Sequence, residues 1–154
     1  RYIDPRRVEI QQKRFSARPL ETLRGWDSVM GLQFENLVLQ NRRFVWQQCG
    51  LTPGEIAQDG PFFQTPTTRR QGCQVDYMIQ TTQGPLFLCE IKFHRGPVRP
   101  GGIAEVKDRL HRLVKPRHTS LFPVLIHVGG VSPKVIESGF FTRVIDFGEA
   151  LRAR

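Results

Sequence analysis

Glu90 and Lys92 sit two positions apart near the end of an apolar run, residues 86–93. Such a run reads as a strand covered on both faces. Side chains alternate along a strand, so Phe87, Cys89, Ile91 and Phe93 share one face and Leu86, Leu88, Glu90 and Lys92 the other. Charges that follow two leucines on a covered face are rarely placed there unless they pair or bind a metal. The preceding strand, residues 73–80, sets Val75, Tyr77 and Ile79 on one face and interrupts the other with Asp76 beside Met78. A hairpin turn over 81–85 would bring Asp76 next to Glu90. Two adjacent carboxylates resist ionising together, and a divalent cation removes the conflict, since Mg²⁺ prefers one or two carboxylates with waters and substrate phosphate. Lys92 could then hold a scissile phosphate, or orient and help deprotonate an attacking water. The same residues also suit a structural Glu–Lys pair with Asp76 bonded to a turn, because short D…ExK patterns recur by chance.

The elements that must position these groups can be read around them. A helix is expected from 26 to about 48, capped by Asp27 or Ser28. Met30, Phe34, Leu37, Val38 and Val45 recur along it at helical spacing, until Gly50 and Pro53 stop it. Gly31, Glu35 and Val38 share a stripe bordering that apolar face, so the Glu35 carboxylate can point at the sheet. Residues 50–60 read as a loop and 62–70 as a first strand, with Pro66 placing it at an edge or bending it. Ile103, Val106, Leu110, Leu113 and Val114 mark a second amphipathic helix, with Lys107, Arg109, Arg112 and Lys115 on its outer face. Residues 121–128 and 143–147 are further strands, and 148–154 a terminal helix. The order α-β-β-β-α-β-β-α argues for an α/β fold with a mixed sheet flanked by helices. Residues 1–25, rich in Arg and Gln with Pro5 and Pro19, are expected to form an arm or linker, and 26–154 one domain.

Composition bounds the partners. The chain has 154 residues and a formal charge of +9, with a pI near 10.3, a balance that favours a polyanion whose counterions Lys and Arg can release. Arg69, Arg70, Arg95 and Arg99 flank the candidate site in sequence and could line a nucleic-acid groove. No apolar run approaches the roughly 18 residues needed to span a bilayer. Cys49, Cys73 and Cys89 lack C-x-x-C spacing and cannot all pair, so reduced, buried thiols in a cytoplasmic protein are expected. His94, His111, His118 and His127 lack metal-ligand spacing, although His94 lies within reach of a phosphate. No G-x-S-x-G elbow is present. The chain opens on Arg1, so it is expected to be a piece of a longer protein.

The segments Gly31-Leu-Gln-Phe-Glu35-Asn-Leu-Val, Gly72-Cys-Gln-Val-Asp76-Tyr and Leu88-Cys-Glu90-Ile-Lys92-Phe93 together resemble the PD-(D/E)xK, or restriction-endonuclease-like, nuclease superfamily. They most resemble its C-terminal nuclease-like region in prokaryotic AAA-type ATPases, over roughly 26–148. The resemblance implies a core sheet with a helix on each side and an Mg²⁺- or Mn²⁺-dependent endonuclease, with DNA the favoured substrate. It also implies metal ligation by Asp76, Glu90 and the Ile91 carbonyl, a catalytic Lys92, and Glu35 holding a metal-bound water. Val75 stands where the family pattern has proline. The ATPase part would lie elsewhere in the parent chain, since no G-x-x-x-x-G-K-[ST] loop occurs here. The alternative is a catalytically inactive module of the same fold that binds DNA or contacts a protein.

Overall fold

The structure is a computed structural model that describes residues 7–13 and 24–152. Its elements are helices α1 (Arg7–Gln11), α2 (Trp26–Gln40) and α3 (Arg42–Gln48), strands β1 (Ile56–Gln64), β2 (Cys73–Thr81) and β3 (Leu86–Lys92), and helix α4 (Gly101–Arg112). Strand β4 (Leu121–His127), helix α5 (Pro133–Glu137), strand β5 (Arg143–Asp146) and helix α6 (Gly148–Arg152) follow. Among the described residues no helix is long and apolar enough to cross a membrane. The arm expected over 1–25 falls largely outside the described residues, of which α1 is part.

The five strands lie in sequence order across one sheet. β1–β2 and β2–β3 run antiparallel, and β3–β4 and β4–β5 parallel. Two antiparallel neighbours need only tight turns, whereas each parallel step needs a crossover; α4 makes the first and α5 the second. The β2–β3 turn closes through Thr81, whose N–H and hydroxyl both donate to the Pro85 carbonyl at 3.0 and 3.1 Å.

Each face of the sheet buries a different helix. On one, Phe34, Val38 and Val45 of α2 and α3 meet Tyr77, Ile79, Cys89, Ile91, Val124 and Ile126. On the other, Leu110 and Leu113 of the α4 region pack on Cys73, Val75 and Leu88. The α/β mixed sheet flanked by helices is thus the expected class. The three cysteines are buried and unpaired, and burial pushes the Cys49 thiol up to about 11.

Four local expectations are corrected. The first long helix is two, because Asn41 leaves helical geometry and its Nδ2 donates to the Leu37 carbonyl at 2.8 Å, in competition with the backbone. It begins after Gly25, and neither Asp27 nor Ser28 caps it. The first strand spans Ile56–Gln64, not 62–70, and it carries Pro61 because an edge strand has one side without ladder bonds. Thr67 and Arg70 instead close a small turn on each other's backbone.

The fourth correction bears on the site. The β1–β2 register slips by one between the pairs Gly60–Met78 and Phe62–Val75, so β2 carries an extra residue there. Beyond that slip Cys73 and Val75 face α4, while Tyr77 and Ile79 face α2 and α3. The expected single face for Val75, Tyr77 and Ile79 is therefore broken at Asp76, as a bulge does when it re-aims a side chain.

Candidate active site

β3 keeps its expected alternation. Cys89 and Ile91 enter the α2-side core, and Leu88 the α4-side core. Glu90 lies on the α4 side, 5% exposed, so it needs cationic partners. It has two: Lys92 Nζ stands 2.7 Å from Oε1, and Arg109 donates from Nη1 to Oε2 at 2.6 Å and from Nη2 to Oε1 at 2.7 Å. The latter is the parallel fork that a planar guanidinium makes with a carboxylate.

Asp76 is held differently. The β2–β3 ladder ends at Tyr77–Cys89, one step short of Asp76 and Glu90. The Ile91 N–H therefore has no strand partner on that side, and donates to Asp76 Oδ2 at 2.9 Å. No cation among the described residues pairs with Asp76. Burial first, and then the charge of Glu90, push its carboxyl up to about 6, against the pull of the Ile91 N–H. Glu35 on α2 is raised for the same two reasons, opposed by Lys92.

These side chains meet in one cleft of about 850 Å³, between the end of β1, the bulged part of β2, β3 and α4. Glu35, Asp76, Glu90 and Lys92 all line it, as does Ile91. Glu105, Asp108, Arg109 and Arg112 complete its charged wall. Five carboxylates thus face three cations, and the excess of two negative charges inside a basic chain suits one divalent ion. Asp76 and Glu35 offer oxygens with no cationic partner, while both Glu90 oxygens are engaged. As they stand, no three His, Cys, Asp or Glu side chains among the described residues are grouped as ligands. Mg²⁺ takes one or two carboxylates with waters, so the donor chemistry fits it.

Arg109 is the residue missed from sequence, where it was set on the outer face of its helix with Lys107, Arg112 and Lys115. Lys107 and Lys115 are exposed, but Arg109 and Arg112 turn toward the cleft. Arg109 follows Val106 by three and precedes Leu113 by four, both core residues, so helical spacing already placed it on the inner stripe. The four arginines singled out from sequence lie elsewhere. Arg69 and Arg70 occupy the exposed turn after β1, Arg99 is exposed before α4, and Arg95 pairs with Asp27 at 3.2 Å. None of the four lines the cleft. His94 is exposed beyond β3. His127 lies beside Lys92 in the β3–β4 register, with its buried Nδ1 unpartnered.

No protein-family model and no curated protein sequence matches the chain. Among solved structures it is similar to the crystal structure of a repair endonuclease from Pyrococcus abyssi, with a TM-score of 0.46 and 16% identity over 72% of this chain. The matched region spans 43% of that protein.

Proposed function

We propose that the cleft is the active site of a metal-dependent nuclease that hydrolyses phosphodiester bonds, with DNA the favoured substrate. The observation that carries this reading is the gathering of Glu35, Asp76, Glu90 and Lys92 from one helix and two strands into one cleft with a surplus of carboxylate. Asp76, Glu90 and the Ile91 carbonyl would hold Mg²⁺ or Mn²⁺, with Glu35 reaching it through water. When bound there, such an ion would supply Lewis-acid polarisation of a phosphoryl oxygen and a more acidic water. Lys92 would hold the scissile phosphate, or orient and help deprotonate the attacking water. Arg69, Arg70, Arg95 and Arg99 hold the flanking backbone. Residues 26–154 constitute the nuclease-like domain, the effector module of a larger cytoplasmic ATPase, and 1–25 the arm or linker that joins it to the rest.

The deciding assay is cleavage of plasmid and oligonucleotide DNA with Mg²⁺ or Mn²⁺, for the parent and for Lys92→Ala. Metal-dependent nicking that Lys92→Ala abolishes supports the proposal; cleavage indifferent to both sinks it. A second reading, a catalytically inactive module that binds DNA or a protein, draws on the Arg109–Glu90 pair, which satisfies Glu90 without an ion. It requires DNA binding without cleavage in any divalent ion.

A further inference from the structure

Glu90 carries more cationic partners than a carboxylate beside an ion site can keep. Its Oε1 accepts from both Lys92 and Arg109, and its Oε2 from Arg109, at 2.6–2.7 Å. The residue is 5% exposed, so water offers little room for a further ligand. An ion bonded to either oxygen at about 2.1 Å would stand against a guanidinium already in contact with that oxygen, two positive charges in a sheltered cleft. The pair also occupies the end-on fork of Arg109, one N–H from each Nη, so that face of the guanidinium is closed to a phosphate while Glu90 holds it.

We infer that Arg109 is a latch: it competes with the divalent ion for Glu90, and when the ion displaces it the freed guanidinium turns to the phosphate backbone of the nucleic acid. The inference rests on the proposed nuclease reading and adds a gate to it. Without an ion, Arg109 neutralises Glu90 and is withheld from substrate. With an ion, Glu90 is neutralised by the metal, and Arg109 is a free planar donor of the kind that matches phosphate bidentately. α4 places Arg109 in the cleft wall, so the latch invokes a side-chain rotation and nothing more. Lys92 differs in that it touches one Glu90 oxygen as a point charge and can stay there while the ion binds the other. The neighbouring cation Arg112 is held by Asp108 on its own helix, which leaves Arg109 as the cation that an arriving ion must move.

Calorimetric titration of Mn²⁺ tests this directly, on the parent, Arg109→Ala and Arg109→Lys. Removing the competitor should tighten Mn²⁺ binding about tenfold or more in Arg109→Ala. Arg109→Lys should fall between, since an ammonium cannot hold both oxygens. In Ca²⁺, affinity for an uncut duplex should drop more in Arg109→Ala than it does without any divalent ion. Thermal melts establish that each variant is folded; if Arg109→Ala is not, Arg109→Lys carries the comparison, with severalfold tighter Mn²⁺ binding expected. Mn²⁺ affinity equal to or weaker than the parent's in the folded variants overturns the latch, and leaves the nuclease reading standing if the parent binds the ion and cleaves. Failure of parent and variants alike to bind Mn²⁺ overturns both.

Discussion

Asp76 is a carboxylate whose charge the fold shelters without neutralising. Its pKa is raised to about 6 from an ordinary 3.8, so the folded state holds the proton more tightly than the unfolded chain does. Ionisation therefore works against folding: the cost begins near pH 4, grows as pH rises through about 6, and is full above that. Asp76→Asn keeps an acceptor for the Ile91 N–H and removes the charge. It should raise metal-free stability by about 1–3 kcal/mol at pH 7.5, and by almost nothing at pH 4. His127, lowered by burial, contributes the opposite trend, but it cancels when variant and parent are compared. Urea melts at the two pH values check this, and a difference that persists unchanged at pH 4 would refute it. Mn²⁺ binding should be lost in the same variant.

Lys92 and Arg109 share one anion, so their removal should not add. Either Lys92→Ala or Arg109→Ala leaves Glu90 with a cation, and should cost about 1–2 kcal/mol. The double variant leaves a buried carboxylate alone, and should cost more than the sum, about 3–5 kcal/mol in all. Additive costs at neutral pH would mean that Glu90 finds another partner. The sequence made Glu90 and Lys92 visible because charges break an apolar run, whereas Arg109 was hidden among other cations on a helix. Only the positions of Val106 and Leu113 betrayed its face.

At the scale of elements, β2, β3, α4, β4 and β5 were legible because their apolar runs persist on either side of the charges that interrupt them. What periodicity misses is geometry that depends on a neighbour. The slip in β2 exists only relative to β1, and the break at Asn41 depends on a side chain outcompeting its own helix. The strand through Asp59-Gly60-Pro61 looks like a loop until it is an edge, where Asp59 accepts from the Tyr77 hydroxyl at 2.5 Å and pairs with Arg42 at 3.2 Å. Trp46 donates to the same hydroxyl at 2.7 Å, so one buried phenol ties α3, β1 and β2 behind Asp76. The segment after β3 is fixed another way. A Cβ on Gly129 would meet the His94 carbonyl oxygen at 1.9 Å, which is backbone and cannot step aside. Gly129→Ala should lose at least about 2 kcal/mol of stability, and should lower cleavage by displacing Lys92, two residues before His94. If instead it melts like the parent, the β3 exit does not depend on that close approach.

Over the whole molecule, charge is divided by location. The chain has 23 Lys and Arg against 14 Asp and Glu, yet the cleft holds five of those acids and three of the cations. The positive excess therefore lies entirely outside the cleft, where it can attract a polyanion toward a site whose own wall repels one until an ion arrives. No base-reading motif is apparent in the sequence, so binding should run through phosphates and be indifferent to sequence. Affinity for a duplex should then fall by at least about a hundredfold between 50 and 200 mM salt, the loss expected for about four neutralised phosphates. Arg69→Ala with Arg70→Ala should reduce the logarithmic salt slope by about two, equally for unrelated sequences. Lys92→Ala should change it by no more than about one while removing cleavage, because that lysine serves the cleft. Fluorescence anisotropy across a salt series measures all three slopes. A flat response in the parent would show that the surplus charge serves solubility and leaves nucleic acid alone. A slope carried by Lys92 and untouched by the two arginines would move the binding surface into the cleft itself.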